Sequence, residues 1–190
     1  MYQKELPAFI QLLSPKKEDV ILDVGAGLGS IASFAASYSD EVFALEPNEK
    51  RADFIKSKYP EVKAFSGLAG QIPFPPSYFD KLYVIMAFHH FLDQGDVLEE
   101  FRRVTKKEGS ILIHEIDPTK VSGKLLRFFE TRIIHNKVSF LTPRNMSDLV
   151  AAHGFSIEKE QKARRGYFLL ARNEKSSDES KGWLETSFEK

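Results

Sequence analysis

Three short stretches hold residues whose types and spacing suit chemistry. The first is Asp23-Val24-Gly25-Ala26-Gly27-Leu28-Gly29. Glycines at alternate positions let a backbone turn tightly and approach a ligand closely. The spacing is G-x-G-x-G, and Ser30 stands where a dinucleotide fingerprint places its third glycine or alanine. Asp23 is awkward beside a pyrophosphate and suits a ligand with a cationic amino-acid end. No Walker lysine follows, which removes the P-loop reading. The second feature is Glu46, 21 residues after Gly25. An acid there can accept two hydrogen bonds from a ribose diol, and it serves adenosyl ligands generally. The third is His89-His90, with Asp93 close behind. Histidine is the natural base near neutral pH, and its bland alternative is a side chain that only shapes its loop. Adjacent side chains on an extended loop diverge, so these residues are not expected to form a metal site.

Alternating strands and helices must position these groups. Val20–Val24 is a short β-branched strand that ends at the glycines, and the Ala/Ser-rich stretch Leu28–Tyr38 reads as a helix. Glu41–Leu45 reads as a second strand, which brings Glu46 to a strand end. Asn48–Lys58 is a helix with Asn48 at its N-cap. Val62–Phe65 and Asp80–Met86 read as strands, Asp96–Thr105 as an amphipathic helix, and Ser110–Glu115 as a strand after a turn at Glu108-Gly109. Such alternation implies βαβ units and a parallel sheet with helices on both faces. Thr142-Pro143 starts a further helix, ended by Gly154. Phe155–Gln161 and Gly166–Arg172 flank the basic turn Lys162–Arg165, so an antiparallel hairpin is expected at the sheet edge.

The composition narrows the class. A chain of 190 residues, 42% apolar and 28% charged, makes one ordinary soluble domain. Lys+Arg and Asp+Glu are both 27, which argues against a nucleic-acid partner bound through bulk charge. The absence of cysteine excludes disulfides, thiolate metal sites and thiol nucleophiles. With no signal peptide and no stretch near the ~18 apolar residues of a membrane span, a cytoplasmic protein is expected. Residues 1–172 read as one domain and 173–190 as a polar tail.

Four stretches carry a resemblance in register: VILDVGAGLG (20–29), VFALEPNE (42–49), GLAGQIPFPPSYFDKLYVIMAFHHF (67–91) and FRRVTKKEGSILIHEID (101–117). Together they resemble the class I S-adenosylmethionine-dependent methyltransferases, in particular the small-molecule group typified by ubiquinone/menaquinone methyltransferases. The resemblance implies an α/β, Rossmann-like, seven-stranded sheet of order 3-2-1-4-5-7-6 with strand 7 antiparallel. It implies S-adenosylmethionine as cofactor and a small-molecule acceptor. Asp23, Gly25, Ala26, Gly27 and Gly29 would surround the methionine part. Glu46 would hold the ribose, with Pro47 and Asn48 along the adenine side. Gly67, Leu68 and Ala69 would pass the adenine edge, and Met86 would complete the site. Leu68 departs from the group, which has an acid there to accept from the adenine amino group. Ala69 backbone and apolar packing would take over. Ile72-Pro73-Phe74 reads as a clamp over the sheet.

His89 looks like the counterpart of the base in plant-type phenolic O-methyltransferases. The segment 120–140 carries Lys120, Lys124, Arg127, Arg132 and Lys137 against Glu130, with Phe128, Phe129 and Phe140. It lies where relatives place a substrate cover, and its alternative is a helix packed on the sheet. No N-P-P-Y or D-P-P-Y motif is present, which argues against adenine methylation. Two other readings stand beside the enzyme: a non-catalytic cofactor-binding relative, favoured by Leu68, and a nicotinamide oxidoreductase, disfavoured by Asp23 and Ser30.

Overall fold

The computed structural model describes residues 4–120, 123 and 138–174. Most of the expected cover segment, and residues 175–190 of the expected tail, lie outside the described residues. The chain opens with α1 (Leu6–Leu13), β1 (Val20–Val24), α2 (Ser30–Ala35), β2 (Glu41–Glu46), α3 (Glu49–Lys58) and β3 (Val62–Ser66). It continues with β4 (Phe79–Ile85), a 3-10 turn (Phe88–His90), α4 (Gln94–Val104), β5 (Thr105–Glu115), α5 (Pro143–Ala152), β6 (Phe155–Ala163) and β7 (Gly166–Asn173).

The seven strands lie in the order β3-β2-β1-β4-β5-β7-β6. β1 to β5 are parallel, and β7 runs antiparallel to both β5 and β6. The expected sheet and its edge hairpin are therefore present. Alternate side chains on each strand serve two cores. Leu22, Val24, Leu82, Val84 and Ile113 pack with Phe101 of α4 and Val150 of α5. Ile21, Tyr83, Leu112 and Phe168 pack on the other face with Phe9 of α1 and Ile55 of α3. No helix among the described residues is long and apolar enough to cross a membrane.

Local chemistry sets the ends of the elements. Asn48 caps α3 by accepting from the Arg51 N–H at 3.2 Å, and Thr142 caps α5 by accepting from the Asn145 N–H at 3.2 Å. The Arg103 guanidinium donates to the Ile72 and Phe74 carbonyls at 2.9 and 2.7 Å, so Ile72-Pro73-Phe74 is the expected clamp.

Four expectations need correction. The helix after the glycine loop spans only Ser30–Ala35, because Gly29 takes φ 77° as its N-cap and leaves Leu28 outside and 59% exposed. Glu108-Gly109 does not separate a helix from a strand. β5 starts at Thr105 and absorbs Glu108, at φ 63°, as an irregularity against β4. α1, built from LPAFIQLL, was not expected, yet it buries Phe9, Leu12 and Leu13. β7 runs to Asn173, whose buried amide donates to the Arg102 and Thr105 carbonyls at 3.0 and 2.8 Å.

Candidate active site

The glycine loop joins β1 to α2 at the C-terminal edge of the sheet. Its Gly25 has φ 77°, and a Cβ there would lie 2.6 Å from the Ala87 Cβ at the exit of β4. No side chain fits such a turn without displacing its neighbour. The Gly25 and Ala26 N–H groups donate to the Leu45 carbonyl at 2.8 and 3.1 Å, which ties the loop to β2. The Gly27 N–H donates to Glu46 Oε2 at 2.9 Å, and the Asn48 N–H to Glu46 Oε1 at 3.2 Å. Glu46 is buried, with the Arg51 guanidinium 3.6 Å away. A carboxylate offers about four acceptor sites, so two backbone donors leave room for a diol.

A cavity of about 520 Å³ opens beside this loop. Gly25, Pro47, Gly67, Leu68 and Ala69 line it from the ends of β1, β2 and β3. His90, Phe91 and Leu92 close it from the β4 side, with Asp96 and Val97 of α4. Leu68 stands at its rim, 66% exposed. Of the other residues expected around the cofactor, Ala26, Gly27 and Gly29 shape the loop, Glu46 braces it, and the Asn48 side chain is committed to capping α3. Met86, at φ 54°, turns the chain out of β4, its N–H donating to the His114 carbonyl at 2.8 Å.

Asp23 alternates with Leu22 and Val24 and so faces the α1 side of the sheet. It is buried, and its Oδ2 has no hydrogen-bond partner. Burial pushes its pKa up to about 8. The Tyr83 hydroxyl beside it offsets only part of this without closing a hydrogen bond, and the Glu46 charge adds to the rise. Tyr83 is its direct partner on β4, and burial drives that phenol well above its ordinary range. One strand further, both His114 ring nitrogens are unpartnered and the ring stacks on Phe168 at 4.3 Å. Burial lowers the His114 pKa, against the charges of Glu5 and Glu115.

The opposite face holds a contrasting group. His89 lies in the 3-10 turn after β4 and is 4% exposed. Its Nδ1 is 3.0 and 2.9 Å from the two carboxylate oxygens of Glu115, the last residue of the neighbouring β5. The His89 backbone N–H reaches the same carboxylate at 3.3 Å, and the Ile116 N–H at 3.2 Å. Phe140 stacks on the imidazole at 4.4 Å between centroids, and His90 lies against it at 4.1 Å. The Ser139 N–H donates to the His89 carbonyl at 2.9 Å, so the chain returning toward α5 is tied to this turn. A carboxylate on Nδ1 sets the tautomer with the proton there and the lone pair on Nε2. Glu115 was not singled out in the sequence. The signal for it is an acid closing the strand beside the one that delivers His89.

A family profile described as "Methyltransferase domain" matches residues 22–113, from β1 through β5. The chain is 25% identical to the demethylmenaquinone methyltransferase of Thermotoga maritima, over 84% of this chain and 78% of that protein. The YcgJ protein of Bacillus subtilis superposes with TM-score 0.73 at 21% identity, covering 84% of this chain and 70% of that one. A S-adenosylmethionine-dependent methyltransferase of Mesorhizobium loti superposes with TM-score 0.76 at 16% identity, covering 88% and 97%. The domain match and these relatives support a class I S-adenosylmethionine-dependent methyltransferase.

The chain's own residues fit S-adenosylmethionine. The cavity is within the few-hundred-Å³ range of small-ligand pockets. No atom within 4 Å would meet a Cβ at Gly27, so the loop leaves open space above its backbone. Glu46 retains acceptor capacity at the mouth, and Asp23 keeps an orphaned oxygen beneath the loop. The remaining acceptor capacity of Glu46 is what a bound ribose diol would satisfy.

Proposed function

We propose that the methyltransferase methylates a hydroxyl-bearing, largely apolar small molecule, with His89 taking the hydroxyl proton. The observation that carries this reading is the buried 2.9 Å contact between His89 and Glu115, next to a cavity walled by His90 and Phe91. Bound S-adenosylmethionine supplies an electrophilic methyl group. Glu46 would hold its ribose, Pro47, Gly67, Leu68 and Ala69 its adenine side, and Asp23 and Gly25 its amino-acid end. In-line displacement needs the acceptor oxygen held close and stripped of water.

The protein's contribution on the acceptor side is a prepared base. Glu115 keeps the proton on His89 Nδ1, which leaves Nε2 to receive one from the acceptor. The same carboxylate stabilises the imidazolium that forms. Phe140 stacks on the ring and fixes its plane, and Phe91 brings apolar surface to the cavity wall. The Thermotoga relative is named for demethylmenaquinone, which agrees with a small-molecule acceptor. The test is transfer of labelled methyl to a panel of hydroxylated aromatic compounds. His89→Ala is expected to lower turnover by roughly 10²–10⁴-fold while cofactor affinity holds. An equally active variant would return His89 to shaping its loop.

A further inference from the structure

The basic turn between β6 and β7 is left over by this reading, and its position is specific. Ala163 pairs with Gly166, so Arg164 and Arg165 form a two-residue hairpin loop. Gly166, at φ 144°, presses against the end of β5. A Cβ there would lie 1.9 Å from the Glu115 carbonyl oxygen and 2.7 Å from the Ile116 Cα. Only glycine lets the turn sit this close to the residue that holds His89.

The register places the charges on the acceptor side. Lys162 pairs with Tyr167, and Tyr167 pairs with Glu115. Directly paired residues share a face of the sheet, so Lys162 is on the face where Glu115 meets His89. Two strand spacings, about 10 Å, separate the Lys162 and Glu115 backbones. Lys162, Arg164 and Arg165 are all exposed. Among the described residues no ion pair involves any of them. The acids nearest this edge are engaged. Glu160 accepts from the Ser147 hydroxyl, Glu115 is held by His89, and Asp117 accepts from the Thr119 N–H at 2.9 Å. Among the described residues these three exposed cations have no acidic partner, and they lie at the sheet edge beside the proposed base, where an anionic group would complement them.

We propose that this turn is the anion-binding rim of the acceptor site, with Lys162, Arg164 and Arg165 holding a carboxylate or phosphate carried by the acceptor. The proposal rests on the reading of His89 as the acceptor's base. It narrows the acceptor to a hydroxylated apolar body with an anionic group about one side-chain length beyond it.

The test is an NMR titration of the full chain saturated with S-adenosylhomocysteine, following backbone amides and the His89 ring. The probes are 4-hydroxycinnamate, its neutral methyl ester and inorganic phosphate. The acid is expected to shift the Arg164, Arg165 and Gly166 amides together with the His89 ring, and the ester to bind at least roughly tenfold more weakly. The double variant Arg164→Ala/Arg165→Ala, changed only at exposed positions, should bring the acid down to the ester's affinity. Shifts of the turn by phosphate, with the acid no stronger than its ester, would assign the group as a phosphoryl ester. Stronger binding of the acid than of phosphate would assign a carboxylate. The rim is overturned if neither anion moves the turn, or if the double variant binds both as well as the wild type. His89 shifting while the turn stays still would overturn the rim and leave the base standing. Shifts of the turn alone would place the anion outside the acceptor site and overturn the proposal.

Discussion

The two faces of the sheet each bury a histidine and an acid, and they treat them oppositely. On the α4 side, Glu115 and His89 meet at 2.9 Å and the carboxylate also receives backbone N–H groups. On the α1 side, Asp23, Tyr83 and His114 lie in one apolar layer, and each keeps a buried polar atom with no partner. Burial alone does not make a group reactive. A satisfied pair costs little to keep polar and holds a ring in one orientation. An unsatisfied group is driven to its neutral form. In the proposed reading the first arrangement prepares a base, and the second leaves an unmet hydrogen-bonding demand beneath the glycine loop.

The largest effect should come from breaking the satisfied pair. Glu115→Gln keeps the shape but no longer selects the Nδ1–H tautomer or supports the imidazolium. Turnover is expected to fall by roughly 10²–10⁴-fold, with KM and cofactor affinity little changed and the pH–rate profile altered. A variant that loses only thermal stability and keeps its kcat would make Glu115 structural.

The unsatisfied group should speak through stability. Asp23 titrates near 8 when folded and near its ordinary 3.8 when unfolded. Between those values the folded state binds the extra proton, so stability falls as pH rises, by up to about 1.4 kcal/mol per pH unit. Asp23→Asn should remove that slope. Urea unfolding at pH 5 and pH 8 checks it, and the same loss in the variant would contradict it.

Glu46 links the proposed cofactor site to Asp23, whose pKa its charge raises. Glu46→Ala should weaken S-adenosylhomocysteine binding by about 1–3 kcal/mol, read by calorimetry. It should also lower the pH at which Asp23 ionises, because the Glu46 charge is one cause of its rise. The smallest effect is Tyr83→Phe. Removing an unpartnered hydroxyl should leave stability within about 1 kcal/mol or raise it. A larger loss would mean that the hydroxyl has a partner in solution.

The sheet order, the Asn48 and Thr142 caps and the edge hairpin were legible because each rests on local pattern or on motifs in register. α1 was not, since its eight residues gain their helix from packing Phe9 on Tyr83 at 4.9 Å, 74 residues away. The glycine loop, Glu46 and His89 stood out by residue type and spacing. The partnership of His89 with Glu115 did not, because it depends on β4 and β5 being neighbours and ending at one level. The same holds for Asp23 and Tyr83, whose isolation follows from sharing an apolar face across two paired strands. Sequence spacing identifies groups capable of chemistry, and strand adjacency decides which of them are held and which are left unmet.

The most direct measurement of the central claim is the protonation pattern of the His89 ring, read from long-range ¹H–¹⁵N NMR of the chain bound to S-adenosylhomocysteine above pH 8. The account predicts a proton on Nδ1 and a bare Nε2 in the wild type, with that preference lost in Glu115→Gln. A ring protonated on Nε2 in the wild type, or a tautomer indifferent to the Glu115 substitution, would contradict the assignment of His89 as the acceptor's base.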